Sequence, residues 1–412
     1  MWTLAIQNLT RRSRTARSFT MTSTSAAETS RMQRWFPGTA HPLIVSAPMA
    51  FVSNPKLASE VVRAEGLGFI QGGRAFKPGS RDLAQLDAQL ALAKTLLQQQ
   101  SQPQSLKEDA EQQQHGGGGA LPIGVGFVLF SDCAAAHFGE TAAPILARHR
   151  PAAVWLFAPD PDARPDALRC VVEAVRAASF SSTTATGADA GTPAAWNPRV
   201  VIQVGTVAAA RRAAELGADV IVAQGVDAGG HQFVQAAGIV SLVPEVRDML
   251  RDEFPDREIA VWAAGGIADG RGVVAALALG AEGAVMGTRY MVAPESDAED
   301  FKRKALLSAS DGAANTVKSY VHDRVQGNWT WPALYDARAL VHQSYHDDVA
   351  GMEIKENEAR YKVAKEKGEV SMMVTWSGSS VGLIRSAPPA AEITKSVRAE
   401  AVEIIKGLKG AL

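Results

Sequence analysis

The 412-residue chain is long enough to bury a large core, and 42 basic against 43 acidic residues, for a net charge of -1, exclude the basic stripe a nucleic-acid binder needs. With 46% hydrophobic and 21% charged residues the composition is that of an ordinary globular protein. Its two cysteines, Cys133 and Cys170, form no CxxC pair, which excludes a disulfide scaffold and a structural metal site. No apolar run reaches the roughly 18 residues that span a bilayer.

In chain order, the first segment is "MWTLAIQNLTRRSRTARSFTMTSTSAAE", with Arg11, Arg12, Arg14 and Arg17 among Ser and Thr and no acid before Glu28. It fits an organelle transit peptide, with a disordered tail as the alternative. Residues 1–34 are therefore set apart as a targeting or disordered segment, and the location is read as mitochondrial or cytoplasmic.

Eight apolar runs follow: 42–48 "PLIVSAP", 66–73 "GLGFIQGG", 122–130 "PIGVGFVLF", 152–158 "AAVWLFA", 199–205 "RVVIQVG", 219–225 "DVIVAQG", 258–266 "EIAVWAAGG" and 283–291 "GAVMGTRYM". Each lacks polar alternation, as strands buried on both faces do. Between them "NPKLASEVVRAEG", "AAARRAAELGA" and "DGRGVVAALALGA" carry apolar residues at helical spacing and end in glycine, which predicts crossover helices with glycine caps. Eight strand–helix units predict an α/β fold, a (β/α)8 TIM barrel over residues 35–291, with its active site on the loops after the strands. A doubly wound sheet would carry a GxGxxG turn after its first strand, and "SAPMAFVSNP" contains no glycine.

Two low-complexity stretches, 97–120 and 181–198, read as surface insertions between a helix and the next strand, away from the active face. Residues 292–375 read as a charged, mostly helical extension with a Trp-rich patch, "QGNWTWPALYDARALVH", capping the barrel or forming a dimer contact. Residues 376–412 read as a loop returning over the site and a last packing helix.

The strand ends hold the chemistry. In "VAQGVDAGGHQF" His231 follows Gly229 and Gly230 just beyond the sixth strand, and among eight histidines it alone occupies such a glycine turn. A general base is expected there, with Asp227 to orient its ring. Gly265 and Gly266 end the seventh strand, and Met286, Gly287 and Thr288 end the eighth. Bare amides at these adjacent turns suit a phosphate. Ala47, Pro48 and Met49 end the first strand as an apolar floor for a ring system, and the Gln71 and Gln203 amides are candidate hydrogen-bond partners of a heterocycle.

Together "SAPMA", "DAGGHQF", "WAAGGIADG" and "AVMGTRY" resemble the nitronate monooxygenase (2-nitropropane dioxygenase-like) family, over roughly residues 40–292. The resemblance implies an oxidoreductase with FMN at the active face. It puts the phosphate on Gly265, Gly266, Gly287 and Thr288 beside Met286, and the ring near Ala47, Pro48, Met49, Gly229 and Gly230, with Gln71 and Gln203 as polar contacts. His231 falls on the family's catalytic histidine, a base toward neutral nitroalkanes. The implied reaction passes a nitronate through a flavin semiquinone to O2, giving a carbonyl compound and nitrite, without metal, nucleic acid or membrane. A homodimer is left open. The chain departs from the family's pattern at Asp227, where Glu is common, and at Gly126, where Asn is common. Two alternatives stay open: an FMN-dependent NADH:quinone or enoyl reductase, and a phosphate-ligand binding barrel without redox activity.

Overall fold

The computed structural model describes residues 30–99, 120–181 and 196–411. Eight of its strands form one parallel sheet: β1 (Ile44–Ser46), β2 (Gly68–Gly73), β3 (Leu121–Val128), β4 (Pro151–Phe157), β5 (Arg199–Val204), β6 (Val220–Gln224), β8 (Ala260–Ala264) and β9 (Gly283–Met286). β1 pairs with β9 on one side. On the other, Val45 bridges Leu67 beside β2, where Ser46 N–H donates to Leu67 O at 3.1 Å, so the sheet closes into the expected barrel.

Side-chain parity sorts each strand. Val45, Phe69, Trp155, Val201, Val222, Trp262 and Val285 fill the interior, while Ile44, Ile70, Val125, Val154, Ile202, Ile221, Val261 and Ala284 pack outward under the helices. Close packing explains the glycines of β3. A Cβ on Gly124 would collide with the Phe69 ring and one on Gly126 with Pro48, so Pro48 fills the space that a side chain at residue 126 would take.

The three predicted crossover helices form as Pro55–Arg63, Val207–Glu215 and Gly270–Ala278, and Asn54, Thr206 and Asp269 each accept a first-turn N–H. Gly217 and Gly280 end the latter two with φ of +96° and +99°. The first ends on Glu65 at φ +60°, and Gly66 is needed for a different reason: a Cβ there would lie 2.9 Å from Ile44 O.

Residues just before 35 also pack on the barrel. Ser30 caps a short helix, Arg31–Trp35, whose Met32 is buried under the barrel floor with its Sδ 3.3 Å from Trp262 Nε1, and Arg31 pairs with Glu282. Residues 1–29 of the segment set apart lie outside the described residues, as do 100–119 and 182–195 of the two low-complexity stretches.

Helices predominate in residues 292–375, yet the region also contributes β10 (Thr316–Ser319) and β11 (Tyr335–Leu340). With β7 (Gly230–Phe233) these form an antiparallel sheet in the order β10-β11-β7 over the barrel mouth. The closing helix Ala390–Ala411 packs on Pro55–Arg63 and Gly270–Ala278. Within it Arg398 donates to the carbonyls of Pro42, Ala64 and Glu65. Among the described residues no helix is long and apolar enough to cross a membrane, and no group of His, Cys, Asp or Glu could hold a metal ion.

Candidate active site

The glycine turn does not leave His231 in a loop. Gly230, at φ +73°, leads directly into β7, where His231 pairs with Ala337 of β11. Its imidazole is held on three sides. Nε2 lies 2.9 Å and 3.1 Å from the two carboxylate oxygens of Asp323. Trp331 stacks on its face with centroids 3.6 Å apart and planes 11° apart, and Trp376 approaches at 5.0 Å. Nδ1 has no hydrogen-bond partner among the described residues. The expectation that Asp227 orients this ring is thus corrected. Asp227 instead accepts the Ser379 hydroxyl at 2.9 Å through Oδ1 and the Ser379 N–H at 3.0 Å through its main-chain carbonyl.

Trp331 also spans the mouth. Its ring lies 4.6 Å from that of Phe130, just beyond the third strand, and 6.4 Å from that of Phe157, the last residue of the fourth. The extension after the eighth strand thereby supplies Asp323 and Trp331 to the strand-end site, and the Ser377–Ser379 loop closes it from the C-terminal side.

Two groups of the remaining predicted residues come from the barrel strands and their ends. Ala47, Met49 and Gly287 meet at the ends of β1 and β9, where a Cβ on Gly287 would be 3.6 Å from Met49 Sδ and 3.8 Å from Ala47 Cβ. Gln71 and Gln203 point inward from β2 and β5. Their amide oxygens are already taken, Gln71 Oε1 by Phe51 N–H at 2.9 Å and Gln203 Oε1 by the Trp155 indole N–H at 3.0 Å, which leaves their NH2 groups as donors. Met286 belongs to neither group. The parity that turns Val285 inward turns Met286 outward into the barrel–helix core, fully buried, and only its backbone carbonyl reaches the β1 loop, accepting Ala47 N–H at 3.0 Å.

Gly229, Gly265, Gly266 and Thr288 gather around the closing loop. Gly378 N–H donates to Thr288 Oγ1 at 2.9 Å, and Gly378 sits so near Gly229 that a Cβ on Gly229 would be 2.5 Å from its nitrogen. Beside this junction Gly265 and Gly266, at φ +110° and +73°, border a cleft of about 610 Å³ that is also lined by Asp227, Ile239, Asp311, Ser379 and Arg385. Ile239 begins the helix Ile239–Glu253, whose N-terminus has no side-chain cap.

Sequence reasoning missed Asp323, Trp331, Trp376 and Gln224. Gln224, at the end of β6, donates from Nε2 to His231 O at 3.1 Å and keeps a buried Oε1 without a partner. Its signal was available: Val220, Val222 and Gln224 alternate inward along one strand.

Behind the site His322 and His342 form a buried pair, Nδ1 of the first 2.9 Å from Nε2 of the second. Burial lowers His322 to a pKa of about 4, helped by His231 and Arg338 and opposed by Val317 O and Asp323. Burial, then His322 and His346, lower His342 to about 3. Both rings are therefore neutral in the folded protein near pH 7. As pH falls from 6.5 toward 4 the unfolded chain binds protons that the folded pair refuses, so stability falls with pH. Counting the pair once, the loss is about 3 kcal/mol. Urea midpoints at pH 7 and pH 4.5 should differ accordingly, and a His322→Gln/His342→Gln double variant should flatten the difference. An unchanged slope in that variant would remove the pair from the account.

Comparison with known proteins adds the following. Residues 154–400 match the family model described as nitronate monooxygenase. A nitronate monooxygenase of Neurospora crassa is 45% identical over 93% of this chain and 95% of its own length, and one of Metarhizium robertsii is 35% identical over 90% and 93%. Among solved structures, FabK from Thermotoga maritima aligns with a TM-score of 0.64 at 23% identity, covering 93% of this chain and all of its own. A nitroalkane oxidase from Streptomyces ansochromogenes aligns at 0.61 and 23%, covering 92% of this chain and all of its own. At such identity these two likenesses show the barrel fold.

Proposed function

The chain belongs to the nitronate monooxygenase family, as an oxidoreductase of the barrel flavoenzyme type, and on that premise we propose that it oxidises alkyl nitronates with O2 to a carbonyl compound and nitrite. FMN is the proposed cofactor, and the residues present fit it. Left-handed glycines open the cleft at Gly265 and Gly266, with the Arg385 guanidinium on its border for a phosphate. Gly287 and Thr288 complete that end. Ala47, Pro48, Met49, Gly229 and Gly230 would flank the ring system, and the free NH2 groups of Gln71 and Gln203 suit carbonyl oxygens of a heterocycle. When bound, FMN supplies the electron transfer between nitronate and O2.

The protein's own part is position and proton transfer. His231 takes the proton α to the nitro group when a neutral nitroalkane is offered, and lies next to the anion when a nitronate is offered. The observation that carries this reading is the ring's environment: one nitrogen engaged by a buried carboxylate, one face covered by Trp331, and Nδ1 without a partner among the described residues. Trp331 and Trp376 exclude water from that face, which strengthens the electrostatic contacts made there.

The test is anaerobic. Purified holoprotein receives an alkyl nitronate in one cuvette and NADH in another while the visible flavin spectrum is followed. A spectral change with the nitronate alone is expected. Rapid bleaching by NADH with an inert nitronate would transfer the protein to the reductase reading, and a purified protein without visible absorbance that takes up no FMN would favour the non-redox one.

A further inference from the structure

Asp323 sits 92 positions from His231 in sequence and is buried, on a single helical turn, Val321–Arg324, outside the barrel. Each of its acceptors is engaged: His231 Nε2 lies within 3.1 Å of both oxygens, and Asn328 Nδ2–H donates to Oδ1 at 3.1 Å. The preceding residue, His322, is fully buried with both ring nitrogens bonded. Val317 O can only accept, so His322 Nε2 carries the hydrogen. Nδ1 of that neutral ring is then the acceptor, and His342 Nε2 must donate to it. Val317 lies on β10 and His342 follows β11, so the sheet that carries His231 also anchors the turn that carries Asp323. Trp376 braces the two, 5.0 Å from the His231 ring and 5.9 Å from that of His322.

We propose that Val321–Arg324 is a positioning element, in which Asp323 selects the Nε2–H tautomer of His231 and so presents Nδ1 as the nitrogen that accepts the substrate proton. The inference deepens the reading of His231 as a base and rests on it. A carboxylate can only accept, so His231 Nε2 has to donate to it, and the lone pair is left on Nδ1. The stack with Trp331 keeps the ring from turning over. Asp323 serves neutral nitroalkanes specifically, because a preformed nitronate has already lost the proton in question.

Asp323→Asn discriminates by geometry. Asn328 still donates to Oδ1, so the new NH2 group takes the place of Oδ2 and faces His231 Nε2. Oδ2 is the nearer of the two positions, 2.9 Å against 3.1 Å, so Nε2 accepts from the new NH2 group, the hydrogen moves to Nδ1, and the base is lost while the shape is kept. In the holoprotein, kcat for a neutral nitroalkane should fall about 100-fold, KM should change little, and turnover of the corresponding nitronate should stay within about threefold. Asp323→Glu should recover part of the loss. Nitrogen-15 NMR of histidine-labelled protein gives a readout independent of turnover: Nε2 protonated in wild type, Nδ1 protonated in Asp323→Asn. A wild-type Nδ1–H tautomer overturns the proposal even if no variant folds, and so does an equal loss on both substrates with the tautomer unchanged. Failure of the base reading looks different: His231→Asn would then turn over neutral nitroalkane normally, whatever the tautomer in wild type.

Discussion

His231→Asn should lower kcat/KM for a neutral nitroalkane by about 1000-fold near pH 7, within the range that a positioned general base contributes, while leaving a preformed nitronate within about tenfold of wild type. The split follows from the proton account. Breaking the α C–H bond needs an acceptor held at the carbon, whereas the nitronate arrives without that proton and needs only a site. Asparagine is smaller than histidine and gives up the stack on Trp331, but it stays polar and planar, and Trp331 keeps its contacts with Phe130 and Phe157, so the aromatic wall has other support. Oxygen consumption with the two substrates side by side reads the result. Neutral nitroalkane turnover within threefold of wild type would sink the assignment of His231 as base and leave the barrel and its family unaffected.

Gly229→Ala should weaken FMN binding by about 10- to 100-fold with the fold retained. The added Cβ would stand 2.5 Å from Gly378 N and Ser377 C and 2.9 Å from Ser377 Cα, all backbone atoms with no flexible end to yield. The closing loop must therefore move, which strains its bonds from Gly378 N–H to Thr288 and from Ser379 to Asp227. Overpacking of this kind costs about 1–3 kcal/mol, and a loss of that size falls on whatever the ordered loop holds. Fluorescence titration with FMN measures the affinity, and far-ultraviolet circular dichroism checks the fold. An unchanged affinity would place the cofactor elsewhere than beside this loop.

The barrel was legible because each of its strands is buried on both faces and leaves a continuous apolar run such as "RVVIQVG" or "DVIVAQG". The strand-end rule then led to His231 and the glycine turns without any structure. What stayed hidden was non-local. "GHQF" is four residues long and reads as turn because its strand partner, "YDARAL", lies about a hundred positions away. Asp323 is one acid in a charged helical stretch, and nothing in its spacing marks it as the partner of His231. Asp227 was the natural guess from proximity in sequence, but its carboxylate is taken by Ser379. Met286 turns its side chain outward and its neighbour Val285 inward, a difference of one step of strand parity that the run "GAVMGT" does not reveal. Gly126 could be read as a lost polar contact but not as the seat of Pro48, since that packing joins two separate strands.

The contacts of the last residues have a consequence for how the molecule is made. β1 finds its partner β9 roughly 240 positions downstream, and the closing helix returns to Pro42, Ala64 and Glu65 near the start. The closing loop and helix leave the ribosome after the barrel strands, so a nascent chain holding every barrel strand still lacks Ser377–Ser379 and the helix that covers the β1 side. Until then the apolar rows of Ile44, Leu57 and Val61 have no lasting cover. Synthesis should therefore pass through a stage that needs shielding from aggregation, and the mouth is complete only after residues 377–411 have left the ribosome.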